Sequence, residues 1–351
     1  MAEVNLSLLR RRLLNWYRRN RRDLPWRRSR DPYAIWISET MLQQTQVKTV
    51  LPYYARFVAA FPTLQTLASA PLPRVLGLWS GLGYYRRAEN LHKAARRIVA
   101  QHGGTLPRDY DLLRALPGIG AYTAGALLSI AFDEKYPAVD GNVRRVFNRL
   151  FHTNGEAAVR KIAGKLAQTS QPGNLNQALM ELGATVCTPK EPRCGDCPVT
   201  SHCRSRDRLG QRQSAQQRPR VNFRDVTWPL AIVNYHGKIL LRRRQADGLL
   251  AKLWELPGVE IAPMAKPEAA IRKELKPLAV AGPPPTRLGE LRHSITNRRI
   301  HAPVLLYRWP LTKSLPAGWR WILPSQLHRY ATSSMTSKAV KLFIEHEKSP
   351  I

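Results

Sequence analysis

Cysteine is scarce and confined: all four cysteines of this 351-residue chain lie between Cys187 and Cys203. No disulfide framework can knit the whole chain together, so each part must hold itself by burying a core. Long apolar runs are missing too. None approaches the ~20 residues a helix needs to cross a bilayer, which excludes a membrane-spanning helix. Acidic residues are few, 24 Asp and Glu against 56 Lys and Arg, leaving a net charge of +32. A chain so basic repels itself unless a polyanion screens it; DNA or RNA fits best, with an anionic membrane surface as the competitor. Internal repeats and low-complexity tracts are absent as well.

What is present divides in two, as the length suggests. The arginine-rich opening could pass for a targeting presequence. Yet Leu8, Leu9, Leu13, Leu14 and Tyr17 form one helical face, and the segment runs directly into the next motif, so we read a basic helix over residues 1–20. Further helices are expected at 34–60, 63–70, 88–102, 121–132, 144–151, 156–167 and 174–186. Residues 204–220 are polar, basic and glutamine-rich, the composition of a linker. Beyond them come short strands (226–234, 238–243, 299–309) with turns such as His236-Gly237 and Asp247-Gly248. Helices are expected at 268–275, 324–328 and 334–345. The domains predicted are a helical one over 1–204, a linker over 205–222 and an α+β one over 223–351.

The helical part is organised around residues 112–145, LLRALPGIGAYTAGALLSIAFDEKYPAVDGNVRR. Leu112, Leu113 and Leu116 lie one turn apart before Pro117 and two glycines break the helix. Gly118 and Gly120 can take φ > 0 and admit close backbone approach, and free N–H groups at the next helix start can seat a phosphate. The same five residues could be only a tight turn between core helices. Asp140, in Ala-Val-Asp-Gly-Asn-Val, sits where a new helix starts, as an N-cap would. Glu39, Gln43 and Gln46 follow i, i+4, i+7 spacing on a helix otherwise rich in Trp36, Ile37, Met41, Leu42 and Val47. A carboxylate in such company has its charged form disfavoured, as an acid catalyst needs. Gly81-Leu-Gly-Tyr-Tyr-Arg-Arg87 presents aromatics beside arginines, suited to a base stack and its phosphates. The spacing Cys187-x6-Cys194-x2-Cys197-x5-Cys203, in a chain that shows no secretion signal, indicates a metal site, zinc or iron–sulfur, in a reducing compartment. Lys190, Arg193, Arg204, Arg206 and Arg208 around it could touch phosphate.

The hairpin with its downstream aspartate resembles the helix-hairpin-helix DNA glycosylase superfamily. Leu24-Pro-Trp-Arg27, the Glu39 helix, Gly81-Leu-Gly-Tyr-Tyr85, Val139-Asp-Gly-Asn-Val143 and the cysteine spacing are together similar to adenine DNA glycosylases of the MutY family over residues 1–205. Leu253-Trp-Glu-Leu-Pro-Gly258 resembles, more loosely, that family's Nudix-like domain. The resemblance implies an all-α helix-hairpin-helix glycosylase domain with a four-cysteine iron–sulfur loop, then an α+β Nudix-like domain. It implies base excision repair of adenine mispaired with 8-oxoguanine or guanine in double-stranded DNA, by a monomer in the cytoplasm, nucleoid-associated in a bacterium. Glu39 would protonate adenine N7, Asp140 would face C1′ as the ionised carboxylate, and Tyr122 and Asn142 would position them. Arg22, Trp26 and Gln43 would line the adenine pocket, Gln44 and Tyr84 would fill or wedge the gap in the stack, and Gly118 and Gly120 would bind a phosphate. Cys187, Cys194, Cys197 and Cys203 would hold a 4Fe–4S cluster.

Related lyases of the endonuclease III type carry a lysine where this chain has Tyr122, and no lysine lies between Lys93 and Lys135. The resemblance thus implies base removal without efficient strand cleavage. A bifunctional glycosylase acting on damaged pyrimidines and a non-catalytic mismatch-binding protein are the alternatives. In the second domain the acidic positions of a Nudix hydrolase, counted from Gly258, fall on Met264, Lys273, Lys276 and Pro277, so a lesion reader is expected rather than a metal-dependent hydrolase. Family members carry a Phe-Ser-His loop that engages 8-oxoguanine. Here the comparable residues are Ile295, Thr296 and Asn297, and a plain strand turn is the competing reading.

Overall fold

The computed structural model describes residues 5–153, 155–206, 222–245, 250, 253–262, 265–278, 283–308 and 314–348. Its contacts group the chain into two compact units, residues 1–69 with 86–217 and residues 70–85 with 218–351. Residues 70–85, expected with the helical domain, thus pack with the second unit. Most of the expected linker, the Asp247-Gly248 turn, Arg208, Met264 and Trp309 lie outside the described residues.

The first unit is helical. Helix α1 (Leu6–Asn20) is capped by Asn5, whose side chain accepts from the Leu8 N–H, and it buries Leu9, Leu13, Leu14 and Tyr17. That face packs with α9 (Gly141–Phe151), α10 (Glu156–Ala167) and α11 (Pro172–Thr185) through Val146, Phe147, Leu166 and Leu179. Helix α2 (Pro32–Leu42) starts on Asp31, which caps the N–H groups of Tyr33 and Ala34, and every residue from Tyr33 to Met41 is buried.

The single helix expected over 34–60 is two: α2 stops at Leu42 and α3 spans Val47–Ala60. Between them Gln44 has φ 57° and Gln46 serves as the N-cap of α3. Gln43 and Gln46 therefore do not continue the Glu39 face. The cause is visible in α6 (Arg86–Gln101), whose Arg87 guanidinium donates to the carbonyls of Thr40, Met41 and Gln43 and to the Thr45 hydroxyl. A cation satisfies the carbonyls that another turn of helix would have used. Helix α4 (Leu64–Ser69) packs on α6, and α7 (Tyr110–Arg114) leads through the glycine turn to α8 (Ala121–Phe132).

In the second unit α5 (Leu72–Trp79) groups with a seven-stranded sheet and its helices, meeting residues 324–329. The strand expected over 226–234 is two, β1 (Arg224–Thr227) and β2 (Leu230–Tyr235). Pro229 between them offers no N–H to a ladder. Strand β6 (Arg298–Arg308) is central: β1 and β2 pair parallel to it and β5 (Thr286–Ile295) antiparallel. Strand β3 (Lys238–Arg243) joins β2, and β4 (Trp254–Glu255) and β7 (Trp319–Ile322) join β3, all antiparallel. Alternation along β2 and β6 feeds two cores. Leu230, Ile232, Val304 and Leu306 meet α13 (Ser334–Lys348), while Ala231, Val233, Leu305 and Tyr307 meet α12 (Pro267–Leu275).

Candidate active site

Glu39 and Tyr122 meet from α2 and α8. The Tyr122 hydroxyl donates to Glu39 Oε2 at 2.5 Å and also lies 3.4 Å from Met180 Sδ on α11. Glu39 is 6% exposed. Burial pushes its carboxyl up to about 7; the Tyr122 hydrogen bond opposes that rise, the Asp140 charge adds to it and Arg27 works against it. Burial and the neighbouring Glu39 charge raise Tyr122 well above its usual value, so it stays a neutral donor.

Asp140 is the N-cap of α9, its Oδ1 accepting from the Val143 N–H at 2.7 Å and its Oδ2 from the Asn142 amide at 2.8 Å. Burial raises it; those two bonds and Arg145 hold the rise in check. The cap is thus both structural and chemical, because an N-cap aspartate meets the positive end of a helix. Arg145 ties this corner to the cysteine loop, donating to Asn142 Oδ1 at 2.8 Å, the Gly183 carbonyl at 2.6 Å and the Cys187 carbonyl at 2.9 Å. Arg149 reaches the same loop at Cys187 Sγ, 3.4 Å, and the Thr188 carbonyl, 2.7 Å. Two buried carboxyls near enough for the Asp140 charge to raise Glu39, one bonded to a phenol and the other to a helix N-terminus, suit acid-assisted cleavage of a glycosidic bond.

The expected pocket residues divide. Trp26 is buried, edge-on to Tyr54 at 5.1 Å. Gln43 places its amide 3.4 Å from the Thr123 hydroxyl of α8. Arg22 is clasped by Glu181 of α11 through its backbone N–H, Nε and Nη2, at 3.2, 2.6 and 3.0 Å, and Arg27 donates to the same carboxylate at 2.8 Å. Burial works against the Glu181 charge, yet the two guanidiniums win and hold it below the ordinary carboxylate range. Sequence reasoning missed Glu181, although a carboxylate among Leu179, Met180 and Leu182 carries the same signal that singled out Glu39. Gln44 is exposed on its left-handed backbone. Tyr84, 58% exposed with φ 48°, groups with the second unit.

In the hairpin Gly118 has φ 80°, and a Cβ there would lie 2.8 Å from the Asn90 Cβ, so a side chain is excluded twice over. Gly120 differs from expectation: its φ is −89°, it is the N-cap of α8, and a Cβ would meet nothing within 4 Å. Its bare backbone is exposed, which leaves the helix N–H groups accessible to an anion.

Cys187, Cys194, Cys197 and Cys203 form no disulfide and are all partly exposed. Burial pushes the Cys197 thiol up to about 11, with Cys187, Cys203 and Cys194 adding to the rise, so the four sulfurs feel one another's charge. Among the described residues no three His, Cys, Asp or Glu side chains gather to hold a single metal ion. In the second unit Thr296 and Asn297 form the two-residue turn between β5 and β6, where Ile295 pairs with Arg298 and Thr296 has φ 54°. The Thr296 hydroxyl donates to the Ile295 carbonyl at 2.7 Å. No helix among the described residues is long and apolar enough to cross a membrane.

A family model described as HhH-GPD superfamily base excision DNA repair protein matches residues 37–172, and a NUDIX domain model matches 229–342. Fold and site thus define a helix-hairpin-helix DNA glycosylase followed by a Nudix-like α+β domain. The adenine DNA glycosylase of Rattus norvegicus is 37% identical over 413 residues, covering 98% of this chain and 80% of that protein. The adenine DNA glycosylase of Buchnera aphidicola subsp. Baizongia pistaciae is 40% identical over 253 residues, covering 70% and 72%. The chain belongs to the adenine DNA glycosylase family of base-excision repair enzymes. Among solved structures a thermostable thymine-DNA glycosylase is similar at 30% identity and TM-score 0.55, over 58% of this chain and 97% of that one. An endonuclease III–DNA complex aligns at 23% identity and TM-score 0.52, over 60% of this chain and 100% of that one, a likeness of fold.

Proposed function

We propose that the protein excises adenine paired with 8-oxoguanine or guanine in duplex DNA and leaves the abasic strand intact. The observation that carries this reading is Glu39, buried with its carboxyl at about 7 and bonded to a tyrosine rather than a lysine. A duplex leaves no room for either carboxyl, so adenine must be flipped out. Glu39 then protonates N7, which turns a poor anionic leaving group into a neutral purine. Asp140, ionised and oriented by Asn142 and the Val143 N–H, faces C1′ and stabilises the cationic sugar until water adds. Trp26 and Gln43 line the adenine pocket; Arg22, anchored on Glu181, borders it. Gln44, exposed at the α2–α3 elbow, enters the gap, Tyr84 is the second residue able to enter the stack, and the Gly118–Gly120 turn holds a phosphate. Without an amine at Tyr122 no covalent imine to the sugar forms, which disfavours the lyase reading.

Cys187, Cys194, Cys197 and Cys203 are the residues that would hold a 4Fe–4S cluster. Four cysteines on one short loop, none of them in a disulfide and each partly buried, supply the all-thiolate donor set that such a cluster takes. The group would staple the loop that Arg145 and Arg149 join to α9. Native protein should carry about four irons; stoichiometric zinc without iron would overturn the assignment. The Nudix-like domain reads the base opposite adenine, a role supported by lysines and a proline where a hydrolase needs carboxylates. The protein acts as a monomer in the cytoplasm, on the nucleoid in a bacterium. The deciding assay incubates it with labelled A:8-oxoguanine, A:G, A:C and oxidised-pyrimidine duplexes, with and without alkali. Adenine release with breakage only after alkali is expected. Breakage without alkali, or pyrimidine release, would sink the proposal.

A further inference from the structure

The strap between α8 and α9, residues 133–139, contains no helix or strand, yet it delivers Asp140 to the pocket. A side chain from another helix shapes it. Asn176 of α11 is 4% exposed; its Oδ1 accepts from the Ala138 N–H at 3.2 Å and its Nδ2 donates to the Tyr136 carbonyl at 2.9 Å. The amide pairs with the carbonyl of one residue and the N–H of the second residue after it, as a neighbouring β-strand would. The other Nδ2 hydrogen goes to Ser129 Oγ at 2.8 Å, and that hydroxyl donates to the Gly125 carbonyl at 2.7 Å. These partners fix which end of the amide is which, since a carbonyl only accepts and a hydroxyl that has spent its hydrogen must accept. The strap also lies directly on α8: a Cβ on Gly125 would come within 2.1 Å of the Pro137 carbonyl oxygen. On its other flank Tyr136 stacks on Tyr110, centroids 5.2 Å apart and planes 4° from parallel.

We propose that Asn176 is a positioning residue for adenine excision: by clamping the strap at Tyr136 and Ala138 it fixes where Asp140, two residues further on, presents its carboxylate. The clamp acts on the backbone and touches neither carboxyl. Loosening it lets Asp140 drift from the Val143 N–H and the Asn142 amide that favour its ionised form. The other groups facing Asp140 are Glu39 on α2, Tyr122 on α8 and Arg145 on α9, and none of them bonds to Asn176. The proposal rests on reading Asp140 as the sugar-facing carboxylate.

The test uses the full chain with Asn176→Ala, Asn176→Asp and Ser129→Ala, the last sparing both strap bonds and removing the Asn176 bond to Ser129 together with that hydroxyl's own bond to Gly125. Single-turnover adenine excision is measured across pH, corrected for the folded fraction by circular dichroism, beside binding of a duplex whose adenine carries a cleavage-resistant 2′-fluoro sugar. Asn176→Ala and Asn176→Asp should lose about 10- to 100-fold in rate, the scale of a small misplacement of a reacting group, with duplex affinity nearly unchanged. The acid limb of the pH–rate profile should move to higher pH while the alkaline limb, set by Glu39, stays. Ser129→Ala should show the same change in smaller measure. Wild-type rate in the Asn176 variants overturns the proposal, as does a lost rate with an unmoved acid limb. Should Asn176→Ala not fold, the isosteric Asn176→Asp and the milder Ser129→Ala decide by the same criteria. Asp140→Asn separates the two levels: full activity there defeats the reading of Asp140 itself, whereas an inactive Asp140→Asn beside fully active Asn176 variants defeats only the clamp.

Discussion

Glu39 in the helical unit and Glu255 in the sheet unit are 6% and 4% exposed, yet their surroundings are opposite. Glu39 takes a hydrogen bond from a phenol. Glu255 takes one from each of two arginines, Arg242 at 3.1 Å and Arg244 at 2.6 Å, and Arg242 is shared with Glu274. Burial without a counter-charge favours the protonated carboxyl, which can deliver its proton to a leaving group; burial between two guanidiniums makes the carboxylate one half of an ion-pair network. Glu181, clasped by Arg22 and Arg27, shows the second solution inside the first unit. The comparison says where chemistry can occur: at the buried carboxyl whose partner is neutral.

The largest effect that sharpens it is on rate. Glu39→Gln keeps the shape and loses the proton, so single-turnover excision should fall about 10²–10⁴-fold with duplex binding retained. Asp140→Asn should be comparably damaging through the missing charge at the sugar. Near-normal excision by Glu39→Gln would remove that residue from the mechanism.

Stability should move in opposite directions at the two glutamates. Glu255→Gln leaves Arg242 and Arg244 short of a counter-charge; both are 22–25% exposed, so solvent trims the ~3–5 kcal/mol typical of breaking a buried pair to about 2 kcal/mol. Glu39 does the reverse. Its carboxyl sits at about 7 when folded against an ordinary 4.5, so the folded state holds a proton that the unfolded chain releases. That contribution is complete below the unfolded value and is lost as pH rises through about 7. Glu39→Gln removes the dependence and should be more stable than wild type by about 1–3 kcal/mol in mild alkali, with no gain in acid. Urea unfolding at both pH values checks the pair; a destabilised Glu39→Gln in alkali would contradict the burial argument.

Tyr122→Phe breaks the comparison from the donor's side. Excision should decline as pH rises through about 7 in wild type, where Glu39 loses its proton. The phenol bond favours the ionised carboxylate, so deleting it should move that alkaline limb upward by about one pH unit, the size of one hydrogen bond to a charged group. An unmoved limb would separate Tyr122 from Glu39 titration.

How much of this was legible beforehand depends on the range of the cause. Asp140 as an N-cap, α8 and α10 follow from local signals, and they stand where the sequence places them. The break after Leu42 was invisible because an arginine 45 positions away from it, Arg87, caps the helix. Strands β4, β5 and β7 escaped for the same kind of reason: β4 has two residues, and β5 and β7 are partly exposed strands made regular by pairing with β6 and β3. In the site, residue types suggested Glu39 and Asp140 singly. The roles of Glu181, Arg145 and Asn176 belong to contacts between segments far apart in sequence, which no spacing rule reports.

The smallest effect concerns the turn of the second unit, Ile295, Thr296 and Asn297, which the proposed function sets against the base opposite adenine. Thr296 spends its hydroxyl hydrogen on the Ile295 carbonyl, which supports the plain-turn reading. The same bond leaves accepting lone pairs on the hydroxyl oxygen of an exposed residue, and an acceptor is what the N7–H of 8-oxoguanine requires. Asn297, exposed beside it, offers a second acceptor in its side-chain carbonyl. One such bond to a solvent-exposed turn is worth about 0.5–1.5 kcal/mol, so Thr296→Ala should lower the ratio of excision rates for A:8-oxoguanine over A:G by no more than about tenfold. A chain ending near Arg220 should compress the ratio further than Thr296→Ala does. Both rates are read under single-turnover conditions, so that product release does not hide the difference. An unchanged ratio in both variants would place lesion reading wholly in the helical unit and leave the turn as a turn.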